Sequence, residues 1–214
     1  MTPESLEWLN KIRIVECGEP LVDVREIAPD LLLRPKIPPY VRESVAKKLA
    51  IISKELLKTP YRLHLHRGYR SIAEQKAHWD ERYEELKGLH PEWTENILAR
   101  ETNKAIAPYN QPTPPGHATG AAVDVYLVTP DGKPLDLVPP VMDWRITCTD
   151  CQKVSKEQQE LRTLLCEVMT AQGFSNYPFE YWHYSFGDSA WAARNNLGEC
   201  KYGFISLPSH RQEP

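Results

Sequence analysis

The chain has 214 residues, of which 41% are hydrophobic and 26% are charged. A chain of this length buries enough apolar surface to fold without disulfides or a structural metal. We therefore expect one domain over residues 1–214 and a functional purpose for any metal site. The formal net charge of −3 excludes the strongly basic surface that binding to nucleic acids or anionic membranes requires.

Features that bear on cellular location favour the cytoplasm. No apolar stretch approaches the roughly 18 residues of a membrane helix, and Met1–Glu16 lacks the basic start and apolar run of a signal peptide. Five cysteines, an odd number, suit free thiols in a reducing compartment. Cys148 and Cys151 have the C-x-x-C spacing of redox and metal sites, but no second pair accompanies them. We favour free thiols in a surface loop over a second metal site or a local disulfide.

A helix followed by a strand is predicted in the first third of the chain. The apolar residues of the helix recur at helical spacing until Pro60 closes the run. They are Val41, Val45, Leu49, Ile52 and Leu56. Arg62–His66 then alternates like a half-buried strand, which Gly68 ends. His64 and His66 share one strand face, where we favour solvated side chains over a metal pair because nothing acidic accompanies them.

A second helix begins with the capping-box pattern of Ser71 and Glu74, which places Arg70 at a strand-to-helix junction. Its apolar face is predicted at Ile72, Trp79, Tyr83 and Leu86. A further short helix is predicted within Thr94–Ala107.

The middle of the chain leads from a loop into a strand. Residues 108–116, PYNQPTPPG, are too rich in proline for regular structure and form a loop that leads to His117. Ala121–Val128 has the length and β-branched content of a buried strand, with Asp124 in its middle. Residues 130–132, PDG, form the turn that ends this strand.

The last predicted elements are a helix and an aromatic strand. Ser155 and Gln158 cap the helix, and Gly173 ends it. Its inward positions are Leu161, Leu164, Leu165, Val168 and Met169. Phe179–Phe186 (FEYWHYSF) predicts the strand. Because helices and strands alternate without regular βαβ spacing, we predict an α+β domain with a small, mainly antiparallel sheet flanked by helices.

Asp124 and His117 are the first candidates for chemistry. An ionised carboxylate with apolar neighbours on both sides is costly to bury unless a cation or several donors compensate. A structural salt bridge with an arginine would compensate, and so would a metal. His117 stands seven residues earlier and precedes Gly120, where the backbone can pass close to another group. A lone histidine is more often a hydrogen-bonded core or surface residue, but the two residues together favour a site.

The segment EYWH holds the carboxylate of Glu180 and the imidazole of His183 three residues apart. Hydrolytic zinc needs a neutral nitrogen ligand and a carboxylate that takes a proton from the attacking water. A regular strand would point residues i and i+3 to opposite faces, so this interpretation requires a bend or bulge. The alternative is an aromatic core strand with incidental polar residues.

Three motifs, in order, resemble those of the zinc D-alanyl-D-alanine peptidases. His117–Asp124 (HATGAAVD) matches the pattern H-x-x-G-x-A-x-D, and Glu180–His183 matches E-x-W-H. Gly68–Ser71 (GYRS) is similar to the segment in which these enzymes carry an essential arginine. The run Tyr181–Ala192 and the pair Met142-Asp143 are most similar to the VanX-type dipeptidases.

The likeness spans about residues 23–192 and leaves 193–214 as a tail. It implies the fold shared by the D-Ala-D-Ala peptidases and Hedgehog. It also implies hydrolysis of D-alanyl-D-alanine or a similar small dipeptide, so the expected partner is a small peptide substrate, with no nucleic acid and no membrane. The oligomeric state is not predicted.

The resemblance also implies roles for individual residues. One zinc ion would be held by His117, Asp124 and His183, which leaves a fourth position open. Glu180 would be the general base, and Arg70 would hydrogen-bond the carbonyl oxygen as it gains negative charge.

Substrate contacts follow from the same resemblance and from the aromatic residues nearby. Asp143 matches the position at which the dipeptidases bind the free amino group. Tyr69, Tyr109 and Trp182 are candidates to line the substrate pocket, with core packing as the alternative for each.

Some residues depart from the dipeptidase pattern. Pro115 stands where the signature usually has serine, and Arg67 and Ser71 replace the acid and the proline of D-x-Y-R-P. With Gln75, this segment is more similar to the VanY-type D,D-carboxypeptidases. A carboxypeptidase or endopeptidase acting on longer cell-wall peptides is therefore an alternative, and a non-catalytic binding module that contains a metal is another.

Overall fold

The structure is a computed structural model that describes residues 5–135 and 146–207. Its strands are short apart from two. They are β1 Arg13–Ile14, β2 Leu21–Asp23, β3 Leu32–Leu33, β4 Tyr40–Arg42, β5 Arg62–Arg67, β6 Ala122–Val128, β7 Ser175–Asn176, β8 His183–Ser185 and β9 Glu199–Cys200.

Four of the helices have three turns or more. The helices are α1 Leu6–Leu9, α2 Val24–Ile27, α3 Glu43–Leu56, α4 Ile72–Leu89, α5 Glu95–Ala105, α6 Lys156–Ala171 and α7 Ser189–Arg194, with a 3₁₀ helix at Gly116–Thr119. No helix in the described part of the chain is long and apolar enough to cross a membrane.

The central sheet has five strands in the order β3-β5-β6-β8-β7. β3 and β5 are parallel, whereas the other neighbours in this sheet are antiparallel. The predicted α+β architecture with a small, mainly antiparallel sheet is thus confirmed. Two further pairs, β1 with β9 and β2 with β4, join segments that the sequence patterns did not predict.

Capping residues set the helix starts as predicted. Ser71 opens α4 and Ser155 opens α6, each with the reciprocal hydrogen bonds of a capping box. The first predicted helix begins later than its periodicity indicates, because Val41 belongs to β4 and only Glu43 starts α3. Val41 and Val45 are both fully buried, so a strand residue and a helix residue here face the same core.

The main hydrophobic core lies on one face of the central sheet. Leu63 and Leu65 of β5 and Val123 and Val125 of β6 are fully buried there, and α3 and α6 cover them. The apolar face predicted for α4 was partly wrong: Leu86 is buried, the other three residues are half-buried, and Gln75 is buried instead. α4 packs mainly against α5 rather than on the sheet.

Candidate active site

A cavity of about 720 Å³ opens on the other, polar face of the central sheet. The side chains that line it include those predicted for the metal and for catalysis. These are Arg70, His117, Asp124, Glu180 and His183. The fold therefore brings together residues from three separate motifs. Asp143, predicted to bind the substrate amino group, lies outside the described residues.

Asp124 and His183 meet because they are register partners on the neighbouring strands β6 and β8. Cross-strand partners project from the same face of a sheet, so both side chains point into the cavity. The Asp124 Oδ1 atom lies 2.9 Å from His183 Nδ1. Alternation along β6 puts Val123 and Val125 on the opposite face, in the core.

His117 reaches the same point from the 3₁₀ helix. Its Nδ1 donates a hydrogen bond to the Gly68 carbonyl at 2.8 Å, and its Nε2 lies 3.4 Å from Asp124 Oδ2. The helix ends at Gly120, whose φ of +70° is left-handed and where a Cβ atom would lie 2.3 Å from a methyl carbon of Leu21. Glycine is therefore required here by both conformation and space.

The three ligand atoms of His117, Asp124 and His183 lie within 4.8 Å of one another. Two imidazole nitrogens and one carboxylate oxygen form a donor set that suits zinc and leaves a coordination position open. The hydrogen bond from His117 to a backbone carbonyl fixes its ring and presents the other nitrogen, as is usual for metal-binding histidines. The residues thus fit a zinc ion.

Asp124 makes its hydrogen bonds to histidines rather than to an arginine in the described part of the chain. The structural salt bridge that the sequence left open is therefore not formed among these residues. Burial alone would raise the pKa of Asp124, but His117 and His183 outweigh it and hold that pKa well below its usual range. Burial opposes protonation of both rings. The hydrogen bond to Asp124 nevertheless raises the pKa of His183, whereas the pKa of His117 is lowered.

Glu180 shares the cavity with His183 because the chain turns between them. The His183 N–H donates to the Glu180 carbonyl at 3.0 Å, and the Glu180 N–H donates to the Tyr177 carbonyl at 3.0 Å. The strand predicted over Phe179–Phe186 is therefore wrong in its first part, since β8 begins only at His183. This turn is the bend that the E-x-W-H spacing requires. Burial, with Asp124 nearby, raises the pKa of Glu180 and favours a proton-accepting role near neutral pH.

Arg70 lies between β5 and α4, where Gln75 holds it. Its Nη1 donates to Gln75 Oε1 at 2.9 Å, and Gln75 Nε2 donates to the Ala107 carbonyl at 2.6 Å. The backbone N–H of Arg70 donates to the His117 carbonyl at 3.1 Å. The Arg70 Nε atom is buried and has no hydrogen-bond partner among the described residues. The positioning role of Gln75 was not predicted, because the burial of this residue on an otherwise polar helix face is visible only in the structure.

The aromatic residues proposed for the pocket lie in different surroundings. Trp182 lines the cavity. Tyr69 is buried away from the cavity lining and donates its hydroxyl hydrogen to the Ile205 carbonyl at 3.0 Å. Tyr109 packs edge-on against Trp79, also outside the lining.

The residues that depart from the dipeptidase pattern are placed as follows. Pro115 and Arg67 line the cavity, and Ser71 serves as the helix cap. Neither Cys148 nor Cys151 forms a disulfide in the described part of the chain, and Cys151 is buried rather than on the surface.

Comparison with known proteins identifies the family. A family model described as D-ala-D-ala dipeptidase matches residues 39–197, well over half of the chain. The chain belongs to this family. It is accordingly a metallopeptidase, as its motifs predicted. The D-alanyl-D-alanine dipeptidase of Synechocystis sp. is 32% identical over 219 residues, covering 86% of this chain and 89% of the relative.

A solved structure shows the same fold at lower identity. The LdcB LD-carboxypeptidase has a TM-score of 0.50 and 20% identity, over 85% of this chain and 75% of that chain. Identity at this level bears on the fold alone, and it agrees with the arrangement of sheet and helices described above.

Proposed function

We propose that this member of the family is a zinc-dependent dipeptidase that hydrolyses D-alanyl-D-alanine or a similar small dipeptide. The main support is the convergence of His117, Asp124 and His183 on one point of the cavity that also holds Glu180 and Arg70. The named dipeptidase at 32% identity supports the same substrate class. His117, Asp124 and His183 would hold one zinc ion per chain, which would lower the pKa of a bound water and act as a Lewis acid toward the carbonyl group.

Glu180 moves the protons of the reaction. Its carboxylate accepts a proton from the attacking water as the water oxygen bonds to the carbonyl carbon. When the carbon–nitrogen bond breaks, Glu180 returns that proton to the leaving amine. The raised pKa of Glu180 suits both steps, because the group must accept and then release a proton at the same pH.

Arg70 stabilises the charge that develops on the carbonyl oxygen. Its buried Nε–H has no partner among the described residues, so it can donate to that oxygen without first breaking a bond within the protein. Asp143 is proposed to bind the substrate ammonium group, as the resemblance implies. The proposed cytoplasmic location rests on the odd number of cysteines, which suits thiols in a reducing compartment.

The decisive test measures free alanine by mass spectrometry when the purified protein is given D-alanyl-D-alanine. We expect release that a chelator abolishes and zinc restores. Glu180→Gln should lower kcat by about 10²–10⁴-fold while metal content and melting temperature stay unchanged. Absence of release at saturating zinc would contradict the proposal, and a metal-containing protein unaffected by Glu180→Gln would be a binding module.

The carboxypeptidase alternative has a direct comparison. A D,D-carboxypeptidase would cleave a pentapeptide ending in D-alanyl-D-alanine in preference to the free dipeptide. We expect the dipeptide to be the better substrate, with kcat/KM measured for both on one zinc-loaded preparation.

A further inference from the structure

Three side chains form a basic wall on one side of the cavity: Arg34, His66 and Arg67. Each of them lines the cavity. Arg67 is the register partner of Asp124 across β5 and β6. The wall therefore begins directly beside the proposed metal ligands, within reach of a substrate bound there.

The sheet is distorted at the point that brings Arg67 to the cavity. Along β5, Leu63 and Leu65 face the core, while His64 and His66 face the other side. Strict alternation would send Arg67 into the core after Leu65. The pairing with β6 shifts register between Leu65 and Arg67, so two residues of β5 oppose one of β6. This bulge turns the Arg67 side chain to the cavity face, next to that of His66.

The two arginines of the wall have little compensating charge. Arg34 Nη1 donates to His66 Nε2 at 2.8 Å, which requires His66 to be a neutral imidazole. Burial and the nearby charges of both arginines hold the pKa of His66 below its ordinary value. Arg67 has a distant ion pair with Glu74 at 3.9 Å, and Glu74 uses its other oxygen to cap α4. In the described part of the chain, neither guanidinium has a carboxylate at hydrogen-bond distance.

Other charged residues of the cavity do not neutralise the positive charge of the basic wall. Its described lining contains two carboxylates, Asp124 and Glu180, and our mechanism uses both. Two further cations of the lining, Arg100 and Lys104, are already paired with Glu101. A dipeptide of alanine is zwitterionic and brings no net charge to the wall. A dipeptide with one acidic side chain brings one additional carboxylate.

We propose that Arg34 and Arg67 bind a side-chain carboxylate of the substrate, so that the preferred substrate is a dipeptide containing an acidic residue. This inference rests on the proposed function, since it names the substrate class of the same site. Guanidinium groups bind carboxylates with two parallel hydrogen bonds, which an uncharged side-chain amide cannot reproduce. Arg67 also stands where the dipeptidase pattern has an acidic residue, so the feature distinguishes this chain from that pattern.

The test uses matched pairs of dipeptides that differ in charge but hardly in shape. D-Ala-D-Glu is compared with D-Ala-D-Gln, and D-Glu-D-Ala with D-Gln-D-Ala, on the zinc-loaded full chain. We expect kcat/KM to be about tenfold or more higher for the acidic member of at least one pair. Arg67→Gln should reduce that ratio towards one. Equal rates for both members of each pair, or a ratio unchanged by Arg67→Gln, would overturn the proposal.

Arg100→Gln is the matched control, because Arg100 lines the same cavity but is already paired with a glutamate. The acid-to-amide ratio should be unchanged in this variant. If both substitutions reduced the ratio equally, the effect would belong to the net charge of the cavity, and the assignment to the wall would be wrong.

A binding measurement separates failure of this inference from failure of the proposed function. If no dipeptide of any kind is cleaved, the proposed function fails, but calorimetry with the metal-free protein still compares the same pairs. If the wild type binds the acidic member more tightly and Arg67→Gln does not, the result would support carboxylate binding by the basic wall. Equal binding would overturn it.

Discussion

Two arginines, one fully buried and one partly buried, flank the 3₁₀ helix that carries His117, and their hydrogen bonds differ. Arg42 is fully buried and its donors are all engaged within the protein. Its Nε donates to the Thr119 carbonyl at 2.7 Å, and its two terminal nitrogens form a bidentate pair with Glu16 at 3.1 and 3.0 Å. The same nitrogens also donate to the carbonyl oxygens of Glu19 and Gly203.

Arg70 lies on the cavity side of this helix, and its guanidinium group has an incomplete set of hydrogen bonds within the protein. Gln75 accepts one of its hydrogen bonds, and its buried Nε has no partner in the described part of the chain. Burial lowers the pKa of Arg70, because the charged form is poorly solvated there. Arg42 is fully buried, whereas Arg70 is partly buried. The two arginines also differ in how many of their donors have partners, since a complete set of hydrogen bonds joins chain segments whereas an unpaired buried donor is available to a ligand.

The largest expected effect is on stability, from Arg42→Met. The substitution leaves three carbonyl groups and the exposed Glu16 carboxylate without the Arg42 donors. The carbonyls of Thr119 and Gly203 belong to buried residues, and each buried acceptor left unpaired costs about 1–3 kcal/mol, so we expect a loss of about 2–6 kcal/mol. Urea denaturation should show the loss. The kcat of the molecules that remain folded should fall far less than in an Arg70 variant, and a loss of kcat without a loss of stability would contradict the structural role.

The opposite pattern is expected for Arg70→Met. Loss of a donor to the developing oxyanion should lower kcat/KM by about 10²–10³-fold. The melting temperature should stay the same or rise slightly, because an incompletely paired and partly buried cation has been removed. Steady-state kinetics and thermal unfolding of the same preparation measure both quantities. If stability fell as much as in Arg42→Met, the contrast between the two arginines would not hold.

A smaller effect is expected from Gln75→Leu, which removes the hydrogen-bond acceptor of Arg70 Nη1 but keeps Arg70 itself. The loss of one hydrogen bond to a charged group corresponds to about 1.5 kcal/mol, or roughly tenfold in kcat. The pH at which kcat is half-maximal should not move, because Glu180 is untouched. Gln75→Glu keeps an acceptor for Arg70 and should restore part of kcat; the same loss in both variants would indicate a packing defect instead.

The smallest effect concerns the partner of Arg42 and depends on pH. Partial burial alone would raise the pKa of Glu16, but the N–H groups of Gly203 and Gly18 and the Arg42 guanidinium outweigh it and lower that pKa. A carboxyl group with a lowered folded pKa stabilises the protein above its unfolded value near 4.5 and loses that effect as pH falls through the folded pKa.

Glu16→Gln should therefore cost on the order of 1 kcal/mol at pH 7, because solvent screens the exposed half of the pair. The difference from the wild type should shrink as the pH falls below about 4.5, since protonated glutamate resembles glutamine. Chemical denaturation at a series of pH values measures it. A difference that stayed constant down to acid pH would exclude the charge as its cause.

Local patterns predicted much of the fold. The capping boxes at Ser71 and Ser155 are formed by residues three apart, so they depend on nothing distant. The strand around Asp124 was recognisable from its own β-branched residues. The strands of two or three residues near both ends were missed because such short segments carry no periodicity, and they form only through pairing with distant segments, as β1 does with β9.

The motifs by themselves determined the family and the candidate ligands, since the residue types and their short spacings are properties of the chain. Only the tertiary structure decided which donors are used. At the turn that follows Glu180, the Tyr181 N–H donates to the carbonyl of the distant Thr147, and the bulge at Arg67 requires β6 as a partner. Likewise, Arg42 and Arg70 are the same residue type in sequence. They differ because hydrogen bonds are short and directional. The atoms that packing brings within about 3 Å of each guanidinium therefore determine whether that arginine stabilises the fold or can bind a substrate.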